Sequence, residues 1–391
     1  MSEPSSPRRV LVTGAFGMLG FHVRAHLHVL EGVETVCAGR AECADPDQLA
    51  RLVADVDAVL HLAGVNRGTD EEVEQGNLQA AQALIAALRK VGHAPTVLYA
   101  SSTHRERETP YGRSKRAAGA LLAEWAAGAN AALVELVLPH VFGEQGRPHY
   151  NSVVHTFCHQ LAAGEALTVH DREGQLELLH AGEVAETMLG LLGFSDGPVE
   201  VRGQSVQRVK GVSMTVGELA DLLTAQSRQY FGALEIPPLQ AALDLALFNC
   251  LRSAAFPQAY PIPLELRSDA RGSLFEAVRS HRAGQTFFST THPGVTRGNH
   301  FHFGKVERFL VVGGQARISI RRLFDDQVHA FEVRGDQPVY IDMPTLHTHE
   351  ITNVGDGELL TLFWAHEFFD PQRPDTYFEP VSLDAPVAAP R

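Results

Sequence analysis

Near the N-terminus, apolar residues fall into short continuous blocks separated by stretches of helical periodicity. "RVLVT" (Arg9 to Thr13) is an apolar run of strand length. A glycine turn and an apolar stripe at helical spacing, Leu19 to Leu30, follow it. "VETVCAG", "DAVLHLAG", "PTVLYASS" and "AALVELVLP" repeat the strand signal. Between them, "DPDQLARLVADV", Glu71 to Val91 and Tyr111 to Ala127 read as amphipathic helices. Strands alternating with helices predict a parallel sheet covered on both faces, a doubly wound Rossmann-type α/β fold.

After Pro139 the pattern loosens into short segments up to about Arg208. "SMTVGELADLLTAQSRQYFG" predicts a helix with Ser213 or Thr215 as its N-cap and Glu218 in its first turn. A second helix is expected from Pro238 to Ala254. "FPQAYPIPLELRSDARGS" is proline-rich, and the domain boundary is placed there. Residues 1–255 form a nucleotide-binding domain with a substrate-binding part from 139, and 262–383 form a second domain. Beyond the boundary, runs of Val, Ile, Phe and Thr are punctuated by Gly, Asp and Pro, as in "ERFLVVGGQARISIRRL", where Gly313-Gly314 joins two strands. This predicts an all-β barrel or jelly roll. The tail after Leu383 reads as disordered.

The chain has 391 residues, which favours two domains over one. A formal net charge of −13 argues against a nucleic-acid footprint, although local arginines and helix N-termini can still hold an anion. Cys37, Cys43, Cys158 and Cys250 form no CxxC pair, which fits a reducing cytoplasm. "MSEPSSPRR" lacks the apolar core of a signal peptide, and no apolar run approaches the about 20 residues needed to span a membrane. A cytoplasmic protein without a membrane span is expected.

Gly14, Gly17 and Gly20 stand between a strand and a helix, where a pyrophosphate can approach the backbone closely. At the end of the second strand, where an NAD site places an acid, Arg40 can pair with a 2′-phosphate and so favours NADP; the alternative is a solvated loop arginine. Tyr111 and Lys115 are four apart on one helical face, so that the lysine charge would lower the phenol's pKa. Ser101-Ser102 ends the preceding strand, where a hydroxyl can bond a substrate oxygen. Together with "HLAGVN" and "YGRSK", these residues resemble the extended short-chain dehydrogenase/reductase family. The resemblance implies an NAD(P) cofactor, a catalytic set of Ser102, Tyr111 and Lys115, and a nucleotide-sugar substrate. It also implies a cofactor site lined by Phe16, Met18 and Leu19 of the turn, by Leu62, Ala63 and Gly64, and by Tyr111 and Lys115, with Asn77 as the family's structural asparagine. His140 replaces the family's usual asparagine near the substrate, and Gly182-Glu183 replaces paired aspartates.

The C-terminal half carries a different chemistry. His300 and His302 are two apart on a strand and share a face. Glu307 from the same hairpin and His349 from a distant strand can complete a ligand set for Zn, Fe, Mn or Ni. HxHx4E followed by "PTLHTHEITN", which ends in Asn353, resembles the two motifs of the cupin family; Leu346 stands where glycine is usual. His347 is an extra histidine, either a substrate contact or a surface residue. "DARGSLFE" and "RGNH" resemble the nucleotide-sugar 3,5-epimerase branch of cupins, which implies that Arg271 helps bind a nucleotide diphosphate and brings Glu276 to the substrate. The alternative is a surface pair of Arg271 and Glu276. No base can be assigned among His347, His292 and Tyr340, and the metal can be catalytic or structural.

A reductase followed by a cupin, with "HYNSVVHTFCHQLA" between them and "FFDPQRPDTYF" near the end, resembles one family of bifunctional capsular polysaccharide enzymes along nearly the whole chain. The family implies epimerisation at carbon 3 of a UDP-linked 4-keto-6-deoxy-N-acetylhexosamine, reduction of the 4-ketone by NADPH, and a homodimer. Two alternatives stand beside this: a reductase with a non-catalytic cupin, and a non-enzymatic NADP-binding regulator.

Overall fold

The computed structural model describes residues 7–194 and 203–383, so the tail expected to be disordered lies outside the described residues. The chain divides into two compact units. One runs to Thr156 and resumes at Asp171–Val216; the other comprises Phe157–His170 and the chain from Gly217 onward.

In the first unit the elements alternate as the pattern predicts. They are β1 (Arg8–Thr13), α1 (Met18–His28), β2 (Val33–Ala38), α2 (Arg40–Ala44), α3 (Pro46–Val53), β3 (Ala58–His61), α4 (Asp70–Val91), β4 (Thr96–Ser102), α5 (Pro110–Ala129) and β5 (Leu133–Leu138). Then come β6 (His140–Phe142), α6 (Val153–Ala162), most of whose residues belong to the other unit, β7 (Gln175–His180), α7 (Ala181–Leu191), β8 (Gln204–Arg208) and β9 (Val212–Thr215). Six strands form one parallel sheet in the order β2-β1-β3-β4-β5-β8. The order reverses between β1 and β3, and such a switch point opens a crevice at the carboxyl ends of the strands. Two apolar layers cover the sheet: Leu49, Leu84, Leu88 and Leu122 on one face, and Val23, Leu27, Val184 and Met188 on the other. A smaller sheet, β6-β7-β9, carries His140.

His61 and His22 are deeply buried in this unit. His61 bonds the Thr13 hydroxyl at 2.8 Å, and His22 bonds the Glu144 carbonyl at 3.2 Å. Burial pushes both down to about 3. The unfolded chain takes up protons near pH 6.5, where the folded chain does not. Their contribution to stability is therefore full above that pH and is lost as pH falls from 6.5 toward 3. Melting temperature measured between pH 7 and 4 is expected to fall steadily; a flat profile would contradict the neutral buried rings.

The second unit begins earlier than the proline-rich segment. α8 (Val216–Ser227) starts directly after β9, so Ser213 and Thr215 lie in a strand, with Thr215 next to the helix. A π-helical turn (Arg228–Gly232), β10 (Glu235–Ile236) and α9 (Ala242–Ala255) follow. The strands are β11 (Ile262–Pro263), β12 (Arg267–Asp269), β13 (Gly272–Leu274), β14 (Arg279–Ser280), β15 (Gln285–Thr291), β16 (Thr296–Phe301) and β17 (Glu307–Gly313). They continue with β18 (Gln315–Arg322), β19 (Val328–Arg334), β20 (Val339–Met343), β21 (His347–Asn353), β22 (Leu359–Ala365) and β23 (Tyr377–Phe378).

Two five-stranded antiparallel sheets, β11-β20-β17-β22-β15 and β19-β18-β21-β16-β23, face each other across Phe309, Val311, Ile341, Ile318, Ile320 and Ile351. Side chains alternate along β17 and β20, whose register pairs Glu307 with Met343 and Arg308 with Asp342. Glu307 therefore faces the interior and Arg308 the outside. There Arg308 makes a bidentate pair with Asp342 (2.7 and 2.9 Å), and Tyr230 donates to the same carboxylate at 2.7 Å. Arg252 of α9 donates to the Met343 carbonyl at 2.9 Å. These buried bonds attach residues 217–262 to the β-sheets, which is why the packing divides the chain before the composition changes.

Candidate functional sites

The first site lies at the sheet's switch point. Gly14 holds φ +69°, and a Cβ there would stand 2.8 Å from the Ala63 nitrogen and 2.9 Å from the Leu62 carbonyl carbon. A Cβ on Gly20 would meet the Gly14 carbonyl oxygen at 2.3 Å. Gly17 is different: only that oxygen lies near, at 3.5 Å, and no side chain caps the helix it opens. Met18 and Leu19 thus begin α1 with its N-terminus available to an anion. Phe16 is exposed, its ring against Gly39. Arg40 is exposed at the start of α2, while the neighbouring acid, Glu42, accepts the Gly39 N–H at 2.8 Å.

Asn77 clamps the turn after β3. Its amide donates to the Val65 and Val73 carbonyls (2.6 and 2.9 Å), and its oxygen accepts the Val65 N–H at 3.2 Å. A Cβ on Gly64 would fall 2.7 Å from the Asn77 oxygen and 3.3 Å from Lys115 Nζ. Asn77→Ala leaves the Val65 backbone unsatisfied, at about 1–3 kcal/mol per buried group. Weaker binding of a nicotinamide dinucleotide is expected by fluorescence titration; an unchanged Kd would remove Asn77 from the site.

Thr109 caps α5 by accepting the Gly112 N–H at 3.1 Å, which places Tyr111 and Lys115 on its first turns. Ser102 ends β4, and its hydroxyl accepts the His104 N–H at 3.2 Å. The structure brings Ser102, Tyr111 and Lys115 together, but the electrostatics differ from expectation. Burial pushes the Tyr111 phenol up, and its hydrogen bond to Ser102, not Lys115, pulls the other way. Lys115 Nζ donates to the Ala100 carbonyl at 2.8 Å and lies over the Tyr111 ring, 5.9 Å from its centre. Burial pushes Lys115 itself down to about 8. His140 bonds the Ser152 hydroxyl at 2.9 Å, and burial brings it down to about 4.

The second site lies between the facing β-sheets. His300, His302, Glu307 and His349 place one ligand atom each within 4.8 Å of one another. Glu307 does not come from a hairpin with the two histidines, as the spacing suggests. β16 and β17 lie in different sheets, so the cluster straddles both. A bulge at Gly298–His300, with Asn299 at φ 60°, re-aims His300. Leu346 has φ 60°, which explains why glycine suits that motif position.

Tautomers test the fit to a metal. His302 Nδ1 donates to the Asp375 carbonyl, and His349 Nδ1 donates to the His347 carbonyl at 3.2 Å. When neutral, each ring therefore turns a bare Nε2 lone pair toward Glu307 Oε2, at 3.2 and 3.3 Å. The buried His349 Nε2 has no hydrogen-bond partner. Lone pairs facing a carboxylate repel unless a cation lies among them, so the donor set fits a divalent metal. The other histidine–carboxylate cluster, His22, Glu144 and His180, contrasts with it. His180 Nδ1 accepts the Gly182 N–H at 3.2 Å, so its Nε2 carries a proton toward Glu144 at 3.0 Å. There the histidine nitrogens nearest Glu144 carry protons, so that cluster is held by hydrogen bonds.

Asp375 was not singled out by spacing. Its carboxylate accepts the N–H groups of Phe303, Gly304 and Lys305 at 2.8, 2.9 and 2.8 Å and so fastens the loop carrying His302. The signal lay within "FFDPQRPDTYF". Other candidates fall outside the cluster. Tyr340 is on the outer face with Arg308, and His292 is exposed in a turn. Arg271 is exposed and paired with Asp269 of its own hairpin. Glu276 lines a separate cavity with Arg267 and Arg308, on the opposite face of β17 from Glu307. His347 is buried, not a surface residue, with Nδ1 on the Thr345 carbonyl at 2.8 Å. Asn353 is no ligand, since its side chain bonds the Thr291 and Gly357 carbonyls at 2.8 and 2.9 Å.

The first unit and its site are those of a short-chain reductase-type nucleotide-binding protein, here joined to a unit built on two antiparallel β-sheets. Residues 10–200 match the NAD dependent epimerase/dehydratase family, and 267–377 match the polysaccharide biosynthesis C-terminal domain. The chain is 34% identical over 370 residues to a UDP-2-acetamido-2,6-beta-L-arabino-hexul-4-ose reductase of Pseudomonas aeruginosa, covering 94% of this chain and 98% of the relative. It is 30% identical to the solved capsular polysaccharide assembling protein CapF of Staphylococcus aureus, with a TM-score of 0.61 over 95% of this chain and 99% of that one. The chain belongs to the CapF family of nucleotide-sugar enzymes. The first unit also shares the fold of RMD from Pseudomonas aeruginosa, solved with NADPH (23% identity, TM-score 0.52, 63% of this chain and 99% of that one). Among the described residues, no helix is long and apolar enough to cross a membrane.

Proposed function

We propose that this chain is a bifunctional enzyme acting in sequence on one UDP-linked sugar. Its β unit, read as a cupin, epimerises carbon 3 of a UDP-4-keto-6-deoxy-N-acetylhexosamine. Its α/β unit then reduces the 4-ketone with NADPH to UDP-N-acetyl-6-deoxy-L-talosamine, a precursor of UDP-N-acetyl-L-fucosamine for a surface polysaccharide. The observation that carries this reading is the presence of two separate clusters in one chain: Ser102, Tyr111 and Lys115 in the first unit, and three histidines around Glu307 in the second. The Pseudomonas relative's name, a reductase of a UDP-linked hexul-4-ose, supports the substrate class. The exposed Arg40, with Glu42 engaged elsewhere, supports NADPH over NADH. The protein works as a cytoplasmic homodimer.

A ketone at carbon 4 acidifies the carbon 3 proton; its removal gives an enediolate, and reprotonation on the opposite face inverts the centre. Among the base candidates, only His347 shares the inward-facing register of β21 with His349. A divalent metal, zinc by its donor set, would be held by His300, His302, Glu307 and His349, and would supply Lewis acidity or a tie between the sheets. Four protein donors close a tetrahedral zinc and favour the tie. In the reduction, NADPH supplies the hydride. Tyr111 keeps its proton through neutral pH, as a general acid must, and gives it to the carbonyl oxygen as charge develops there. Ser102 orients that oxygen, and the Lys115 ammonium stabilises the charge.

The closed donor set is the observation that favours a second reading, a 4-ketoreductase with a non-catalytic cupin. The assembled Ser102–Tyr111–Lys115 set argues against a non-enzymatic regulator. Product analysis with the UDP-4-keto-sugar decides. Carbon 3 epimers without NADPH and a reduced sugar with it support the bifunctional reading; reduction without epimers supports the second.

A further inference from the structure

We infer that Glu135, a buried carboxylate with no part in the chemistry above, is a positioning residue that keeps the Lys115 side chain charged and in place. Glu135 lies on β5 in the middle of the parallel sheet and is 5% exposed. A carboxylate there is costly unless a positive charge answers it. Its register partner on β4 is Tyr99, whose ring centre is 4.9 Å from Lys115 Nζ and whose hydroxyl donates to the Lys115 carbonyl at 3.4 Å. On α5, Gly119 sits one turn beyond Lys115 on the same face. A Cβ at Gly119 would lie 2.9 Å from both Glu135 oxygens. The missing side chain is the notch that lets the carboxylate reach this face of the helix.

Local bonds do not exhaust the carboxylate. Arg105, from the turn after Ser102, brings Nε to 3.2 Å of Glu135 Oε1, yet neither atom has a hydrogen-bond partner. Lys115 donates to a neutral carbonyl, so no contact neutralises its charge. The groups that face it are Tyr99 from β4, His61 from β3, Tyr111 on its own helix, Asn77 of α4 across Gly64 and Glu135 from β5, which Arg105 pairs with in turn. Burial keeps His61 neutral and both tyrosines protonated. Glu135 is the one carboxylate in this set. Burial drives the lysine down and Glu135 opposes it.

The inference rests on the reductase reading only for its rate measurement; a second readout needs no turnover. NADPH affinity and ketone reduction are measured from pH 6 to 9.5 in wild type, Glu135→Gln and Glu135→Asp. Glu135→Gln is expected to move the basic limb of both profiles at least about one pH unit toward acid, a tenfold loss at pH 8.5 that largely disappears at pH 6. Glu135→Asp keeps the charge and stays near wild type. Gly119→Ala pushes the carboxylate away and gives a smaller shift of the same sign, which serves if Glu135→Gln does not fold. Superimposable limbs, or a loss equal at every pH, would overturn the assignment. If wild type binds NADPH but never reduces the sugar, the reductase reading fails, while the binding profile still judges Glu135.

Discussion

Tyr111→Phe is expected to lower the rate of ketone reduction by about 10²–10⁴-fold with little change in folding or NADPH binding, because positioned proton transfer contributes roughly that much. The lost atom is the phenol oxygen, which is hydrogen-bonded to Ser102. The ring remains, and with it the T-shaped contact to His104 at 5.9 Å. Lys115 still stabilises charge in the variant but does not stand in for the phenol, whose hydrogen bond to Ser102 is lost. The measurement is single-turnover NADPH oxidation. A variant that retained wild-type reduction would show that another group protonates the alkoxide, and the assigned mechanism would fail. Carbon 3 epimerisation is expected to continue in the same variant, because the second cluster belongs to the other unit.

His349→Ala is expected to remove the bound metal and to destabilise the β unit. His349 is completely buried on β21, and Glu307, which it faces, comes from the opposing sheet. Its loss breaks the link between the sheets and leaves a buried carboxylate facing two rings. Losing one partner of a buried charged set costs about 3–5 kcal/mol. For a unit of this size that is roughly a 10 °C fall in Tm. Elemental analysis of the purified protein and calorimetry read both effects. Metal content equal to wild type would remove His349 from the ligand set, whatever happened to Tm.

Much of the first unit was legible because its signals are local. Continuous apolar runs set the strands, helical periodicity set the helices, and Gly14, Gly20 and Asn77 answer contacts a few residues away or at the next strand. The second unit was legible in its residues but not in its pairing. His300, His302 and Glu307 read as one hairpin because alternation does not reveal which strands share a sheet; they proved to span two. Tyr340 read as a candidate base because its parity relative to Glu307 depends on the register of β17 with β20. Leu346 read as a departure from the motif and instead accounts for it, since it adopts the left-handed conformation that makes glycine usual. Glu135 gave no signal: in the sequence it is one acid inside an apolar run, and only Gly119 and Tyr99 beside it reveal the notch.

In the proposed function, one chain enolises a keto-sugar in one unit and reduces it in the other. The most direct measurement incubates the UDP-4-keto-sugar with the wild-type enzyme and with Tyr111→Phe in heavy water, without NADPH, and follows carbon 3 by mass spectrometry and NMR. Deuterium is expected at carbon 3 with both proteins, and reduction, once NADPH is added, with wild type alone. Reduction by wild type with no deuterium at carbon 3 in either sample would contradict the proposed function and leave the β unit without a catalytic role.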